Sequence, residues 1–290
     1  MRYNNKFKSF KQLIMRNMRL SFLFLFVLLP FFCISQQTTN PPMDLGFDHP
    51  GTIQTITKNY GNSDIDGYNL YVPKSCNNGK KCPVFVFLQG GKGVGGAVKK
   101  LMKWGLPNKI LTSTSLETEL DKYIRDTFIV VMPHIDGGQF FDNETEMREI
   151  LDEVVKNENA DPKRIYLTGL SRGGYGTWGL ASRMSDVFAA AAPICGSGFG
   201  VTSYENMADL PLWVSHNTGD GVVNHRGSSR AVEKLEAVSN VKFHHSTSIA
   251  SAKYASNKYI FTSTPSDSHD AWTEMYGEVS FYKWLLRFSK

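Results

Sequence analysis

The chain has 290 residues, 41% of them apolar and 20% charged, with 25 Gly and 12 Pro. That composition excludes a disordered chain, a collagen and a coiled coil, and four cysteines are too few to build a disulfide scaffold. The formal charge of +5 would by itself suggest an anionic partner such as nucleic acid or a membrane surface, but that charge is unevenly distributed.

Residues 1–19 carry Arg2, Lys6, Lys8, Lys11, Arg16 and Arg19 and no acid, and Leu20 to Cys33 is then almost wholly apolar. A basic start, a short apolar run and a polar stretch is the pattern of a secretory signal. The apolar run of 14 residues is shorter than the roughly 20 that a spanning helix needs. We therefore expect residues 1–35 to be a signal peptide cleaved near Ser35, giving a secreted or periplasmic bacterial protein. An uncleaved N-terminal anchor and a lipid attached at Cys33 are the alternatives, the bulk of Phe31 and Phe32 weighing against the lipid. Without these residues the chain keeps 26 of its 32 basic residues against 27 acidic ones, a net charge of −1. The argument for a nucleic-acid or membrane partner then disappears.

Residues 36–50 (QQTTNPPMDLGFDHP) read as a flexible leader, and 51–290 as a single domain. Residues 52–57 and 68–72 read as two strands joined by a turn-rich segment. Residues 82–88 (CPVFVFL) are a buried strand running into Gln89, Gly90 and Gly91, and 127–133 (TFIVVMP) repeat that pattern. Residues 144–157 have apolar side chains at helical spacing after an acidic start. Strands are predicted at 164–168, 188–194, 211–216 and 258–263, and helices at 173–184, 228–238 and 271–288. Residues 246–257 read as a polar surface insertion. Strands alternating with helices predict an α/β fold with a parallel sheet covered on both faces.

The most specific motif is Gly169-Leu170-Ser171-Arg172-Gly173, which follows a strand and opens a helix. In that setting a serine sits in a sharp turn that pushes its hydroxyl out above the sheet, and the glycines keep the turn free of collisions. A serine hydroxyl is a poor nucleophile and needs a base oriented by an acid. Asp220 follows the strand at 211–216 and His269 follows the last strand, so Ser171, Asp220 and His269 occur in the order nucleophile, acid, base. The alternatives are less well placed. His216 precedes the acid, His225 suits substrate contact, and the adjacent His244 and His245 suit a polar loop. Asp267 and Asp270 are too close to His269 in sequence to orient it across the site.

The reaction of such a serine builds negative charge on a carbonyl oxygen. The N–H of Arg172 is one candidate donor to it, and Gly90 or Gly91 the second. Gly91, Gly93 and Gly96 also match a dinucleotide fingerprint. The short segment after them and the lack of a second strand ending in an acid argue against nucleotide binding. No spacing of His, Cys and acids suggests a metal, so neither cofactor nor metal is expected.

The segments GLSRGGYGTW (169–178), AAPICGSG (191–198), GDGVV (219–223) and SHDAW (268–272) together resemble the α/β-hydrolase superfamily. More narrowly they resemble secreted bacterial esterases related to feruloyl esterases, polyhydroxybutyrate depolymerases and prolyl-oligopeptidase-type hydrolases. The likeness spans most of residues 65–288. It implies a mostly parallel sheet of about eight strands with helices on both faces, and the same triad. It implies a secreted serine esterase acting on an ester substrate, feruloyl or acetyl esters of polysaccharide or a polyester. A serine peptidase, and a non-catalytic binding protein on a hydrolase fold, are the alternatives. Gln89 departs from the His that relatives commonly carry there, and 105–128 is longer than usual. Gln89, Phe140 and Trp272 are candidate substrate contacts, with core packing the other reading of Phe140, its neighbour Phe141 and Trp272. The Arg172 side chain suits either substrate contact or a surface ion pair. Cys76 and Cys82 are either a small-loop disulfide or two free thiols, and Cys195 reads as a core thiol.

Overall fold

The apolar runs become the middle of one sheet, because each is flanked by helices with an apolar face to cover it. The computed structural model describes residues 37–43, 45, 49–61, 63–79, 81–91, 102–112, 116–252 and 256–290. The expected signal peptide and positions 92–96 of the glycine-rich segment lie outside them. The strands are β1 (Gln37–Thr39), β2 (Gly51–Lys58), β3 (Ile65–Pro73), β4 (Cys82–Leu88), β5 (Ile129–Ile135), β6 (Ala160–Leu170), β7 (Ala190–Ile194), β8 (Leu212–Asn217), β9 (His244–Ser246) and β10 (Tyr259–Thr264). Their spatial order is β1-β2-β3-β5-β4-β6-β7-β8-β10-β9. The three pairs from β1 to β5 are antiparallel and every pair beyond β5 is parallel.

The helices are α1 (Gly105–Thr112), α2 (Glu119–Lys122), α3 (Glu144–Asn157), α4 (Arg172–Arg183), α5 (Arg226–Ser239), α6 (Ile249–Ala252), α7 (Trp272–Gly277) and α8 (Val279–Leu285). Alternation along β4 divides the core. Val84, Val86 and Leu88 pack with Met147, Ile150 and Trp178 on the α3–α4 side. Phe85 and Phe87 pack with Leu106, Tyr276 and Phe281 on the other side. This two-faced burial is why the run is continuously apolar rather than alternating.

Ten strands form where about eight were expected, and the extra two are edge strands. Gln37–Thr39, within the expected leader, pairs antiparallel with Ile56–Lys58, Met43 bridges to Ile53, and the buried His49 ring bonds the Ile110 carbonyl. An exposed sheet edge offers unpaired backbone groups, so even polar residues can add a strand. In the same way β9 extends the far edge into the expected insertion, and Ile249 and Ala252 of α6 are buried. The helix expected at 271–288 is two helices, because Glu278 is extended (φ −100°, ψ 121°) after Gly277. The Tyr282 hydroxyl spans that break to the Tyr276 carbonyl.

Cys76 and Cys82 are joined as a disulfide, tying the turn after β3 to the start of β4. No helix among the described residues is long and apolar enough to cross a membrane.

Candidate active site

The turn between β6 and α4 places Ser171 at φ 55°, ψ −117°, a strained conformation for a residue with a side chain. Two glycines make it feasible. A Cβ on Gly169 would lie 2.4 Å from the Gly173 carbonyl oxygen, and one on Gly173 would lie 2.0 Å from the Leu88 carbonyl oxygen. The Ser171 N–H is anchored from below by the Ile194 carbonyl at 3.0 Å and by the Cys195 sulfur at 3.3 Å. Cys195 also has positive φ (40°) and is fully buried. Burial pushes its thiol pKa well up, so it stays protonated.

Three loops at the carboxyl ends of parallel strands bring the sequence-predicted groups together, where open α/β sheets place their sites. His269 Nε2 lies 3.0 Å from Ser171 Oγ, and His269 Nδ1 lies 2.6 Å from Asp220 Oδ2. A carboxylate facing Nδ1 requires the proton there, which leaves Nε2 to accept from the serine. The Asp220 side chain is fully buried, while that of His269 is 19% exposed. Burial disfavours the Asp220 charge. The bonds from His269 and from the Val223 and Val222 amides outweigh that cost and hold its pKa below the ordinary value.

The other candidates separate. Arg172 is the first residue of α4, so its N–H has no carbonyl one turn back to donate to. Its side chain donates to the Gly138 carbonyl and has no ion-pair partner among the described residues. A Cβ on Gly90 would sit 3.7 Å from Ser171 Cβ, whereas one on Gly91 would meet nothing within 4 Å among the described residues. Gln89 is 4% exposed, and neither polar atom of its amide has a hydrogen-bond partner among the described residues. Trp272 meets the His269 ring edge-to-face, 5.4 Å between centres. Phe140 is buried instead of lining a groove. Its Cβ fills the space left by Gly176 on α4, as Phe141 does at Gly179, so small helix residues and large rings interlock.

His244 and His245 are exposed on β9, and Asp270 receives the Trp272 and Thr273 amides at the start of α7. His225 stacks on Phe261 and bonds Ser263. His216 is fully buried against Asp220, an arrangement that sequence order alone does not signal. Cys195, Asp220 and His269 form one trio of potential metal ligands within 4.8 Å among the described residues. Both nitrogens of His269 are already engaged by its partners.

No family model matches the chain. A solved thermostable esterase superposes with TM-score 0.62 at 24% identity, covering 88% of this chain and 63% of that one. The chain has the α/β-hydrolase fold. A mutant of the feruloyl esterase module from Clostridium thermocellum, solved with sinapinate, superposes with TM-score 0.59 at 17% identity over 86% of this chain and 93% of that one. In sequence, a bifunctional acetylxylan esterase/xylanase of Neocallimastix patriciarum is 32% identical over 127 residues, 41% of this chain and 18% of the relative. Poly(3-hydroxyalkanoate) depolymerase C of Paucimonas lemoignei is 42% identical over 53 residues, 18% of this chain and 13% of the relative. The matches therefore span less than a fifth of these curated relatives.

Proposed function

We propose that this chain is a serine esterase that cleaves carboxylic esters through an acyl-enzyme. The observation that carries the reading is the unbroken contact from Asp220 Oδ2 to His269 Nδ1 at 2.6 Å and from His269 Nε2 to Ser171 Oγ at 3.0 Å. His269 takes the serine proton as Oγ attacks the ester carbonyl, and Asp220 stabilises the imidazolium that forms. The oxyanion forms against the N–H of Arg172 and of Gly90 or Gly91. His269 then protonates the leaving alcohol, and water releases the acid. The Gln89 amide, unpartnered beside this glycine pair, is free to bond substrate.

The proposed substrate is an ester on a polysaccharide or a polyester. Similarity to an acetylxylan esterase and to a polyhydroxyalkanoate depolymerase supports that class. Export through residues 1–35 would bring the enzyme to such polymers. Hydrolysis of p-nitrophenyl acetate and p-nitrophenyl butyrate tests the reading. Wild type should turn both over, and Ser171→Ala should lose about 10⁴-fold or more in kcat. Equal rates in the two proteins would refute it.

A further inference from the structure

His216 lies near the end of β8 with no exposed surface, and it approaches the same Asp220 oxygen as His269. Its Nε2 is 2.9 Å from the Val223 carbonyl oxygen and 3.2 Å from Asp220 Oδ2. Both neighbours only accept, so Nε2 carries a proton and shares it between them. The Val223 N–H in turn donates to Asp220 Oδ1 at 3.0 Å, and the Val222 N–H donates to the same oxygen at 2.8 Å. His216 therefore closes a ring around the turn 220–223, holding both the carboxylate and Val223, whose N–H bonds it.

The other nitrogen sets the tautomer. His216 Nδ1 is 2.8 Å from Ser228 Oγ, which is itself 2.9 Å from the Gly196 carbonyl oxygen. A hydroxyl has one hydrogen. Pointed at Nδ1 it leaves His216 neutral. Pointed at Gly196 it requires a second proton on the ring. Burial lowers the His216 pKa against the opposing pull of Val223 and Asp220, which favours the neutral ring. Gly196 itself abuts the backbone of Gly174 on α4.

We propose that His216 is a positioning residue for the triad, its Nε2–H fixing the Asp220 carboxylate for His269 and the Ser228 hydroxyl fixing its tautomer. This rests on the esterase reading above. The other titratable groups around this clamp are His225 (ring centre 5.4 Å from that of His216), Cys195, Tyr175, Asp270 and Asp267 beside Gly219. Losing the Nε2–H leaves the Asp220 charge less compensated, so it holds a proton on the triad more strongly. The acid limb of the kcat/KM profile then moves to higher pH.

The test compares His216→Gln with His216→Asn in the full-length protein. The Gln amide reaches the Nε2 position and keeps the donor to Asp220. The shorter Asn amide reaches only toward Ser228. His216→Asn should lower kcat about 10–100-fold with little change in KM, and raise the acid limb. His216→Gln should recover most of both. The downfield NMR resonance of the His269 Nδ1 proton should shift in Asn and stay near its wild-type position in Gln, a readout independent of turnover. Equal losses in the two variants with the limb and the resonance unmoved would mean a purely structural role and overturn the proposal. So would wild-type behaviour of His216→Asn. Ser171→Ala, run alongside, tests the esterase reading separately, because retained turnover there would refute that reading while leaving the resonance to judge His216.

Discussion

The loop after β8 and the loop after β4 approach Ser171 from different strands, yet their polar groups are partnered to different degrees. Asp220 takes two backbone amides on one oxygen, and its other oxygen faces two imidazole N–H groups. At the end of β4, Gln89 is also buried, but its amide has no hydrogen-bond partner among the described residues. Leaving a buried amide unpaired costs on the order of 1–3 kcal/mol. On the proposed esterase reading, the proton-transfer side is thus complete when the chain folds, and the acyl side keeps an unpaired polar group. That division suits a hydrolase whose proton machinery must stand ready while its binding side completes itself on substrate.

The comparison breaks most sharply at Asp220. Asp220→Asn places an amide where four donors converge. In one orientation its NH2 opposes His269 and His216, and in the other it opposes the Val222 and Val223 amides. No orientation satisfies both sets, and His269 loses the acceptor that fixes its tautomer. We expect kcat for p-nitrophenyl butyrate to fall about 10⁴-fold. A near-normal rate would move the acid to another residue.

The smaller effect lies on the β4 side. Gln89→Met keeps the volume and removes both unpaired atoms. The melting temperature should hold or rise, while kcat/KM falls about tenfold, the weight of one hydrogen bond to substrate. A variant that is more stable and equally active would show that the amide does not reach the reaction.

The central strands, and the meeting of Ser171, His269 and Asp220, are legible in the sequence for a physical reason. Strands buried on two faces must be continuously apolar, and the sharp turn between β6 and α4 must have glycine at 169 and 173, where the backbone leaves no room for a Cβ. The edges are less legible. Gln37–Thr39 and His244–Ser246 are polar, and only their neighbours' open backbone groups recruit them into the sheet. Phe140 was ambiguous because an aromatic after a strand fits a groove as well as a core. What decides it is Gly176, 36 residues further on, which leaves the hole the ring fills. His216 is hidden in the same way. Its partners Val223 and Ser228 are unremarkable in sequence and matter only because the turn at 220–223 folds back over the end of β8.

The central claim is that Ser171 is an activated nucleophile, and the most direct measurement is the intact mass of the protein after incubation with diisopropyl fluorophosphate. The account predicts one covalent adduct, mapped by peptide fragmentation to Ser171, formed in step with loss of ester turnover and absent from Ser171→Ala. Folded wild-type protein that takes up no adduct, or that loses activity through an adduct elsewhere, would contradict it.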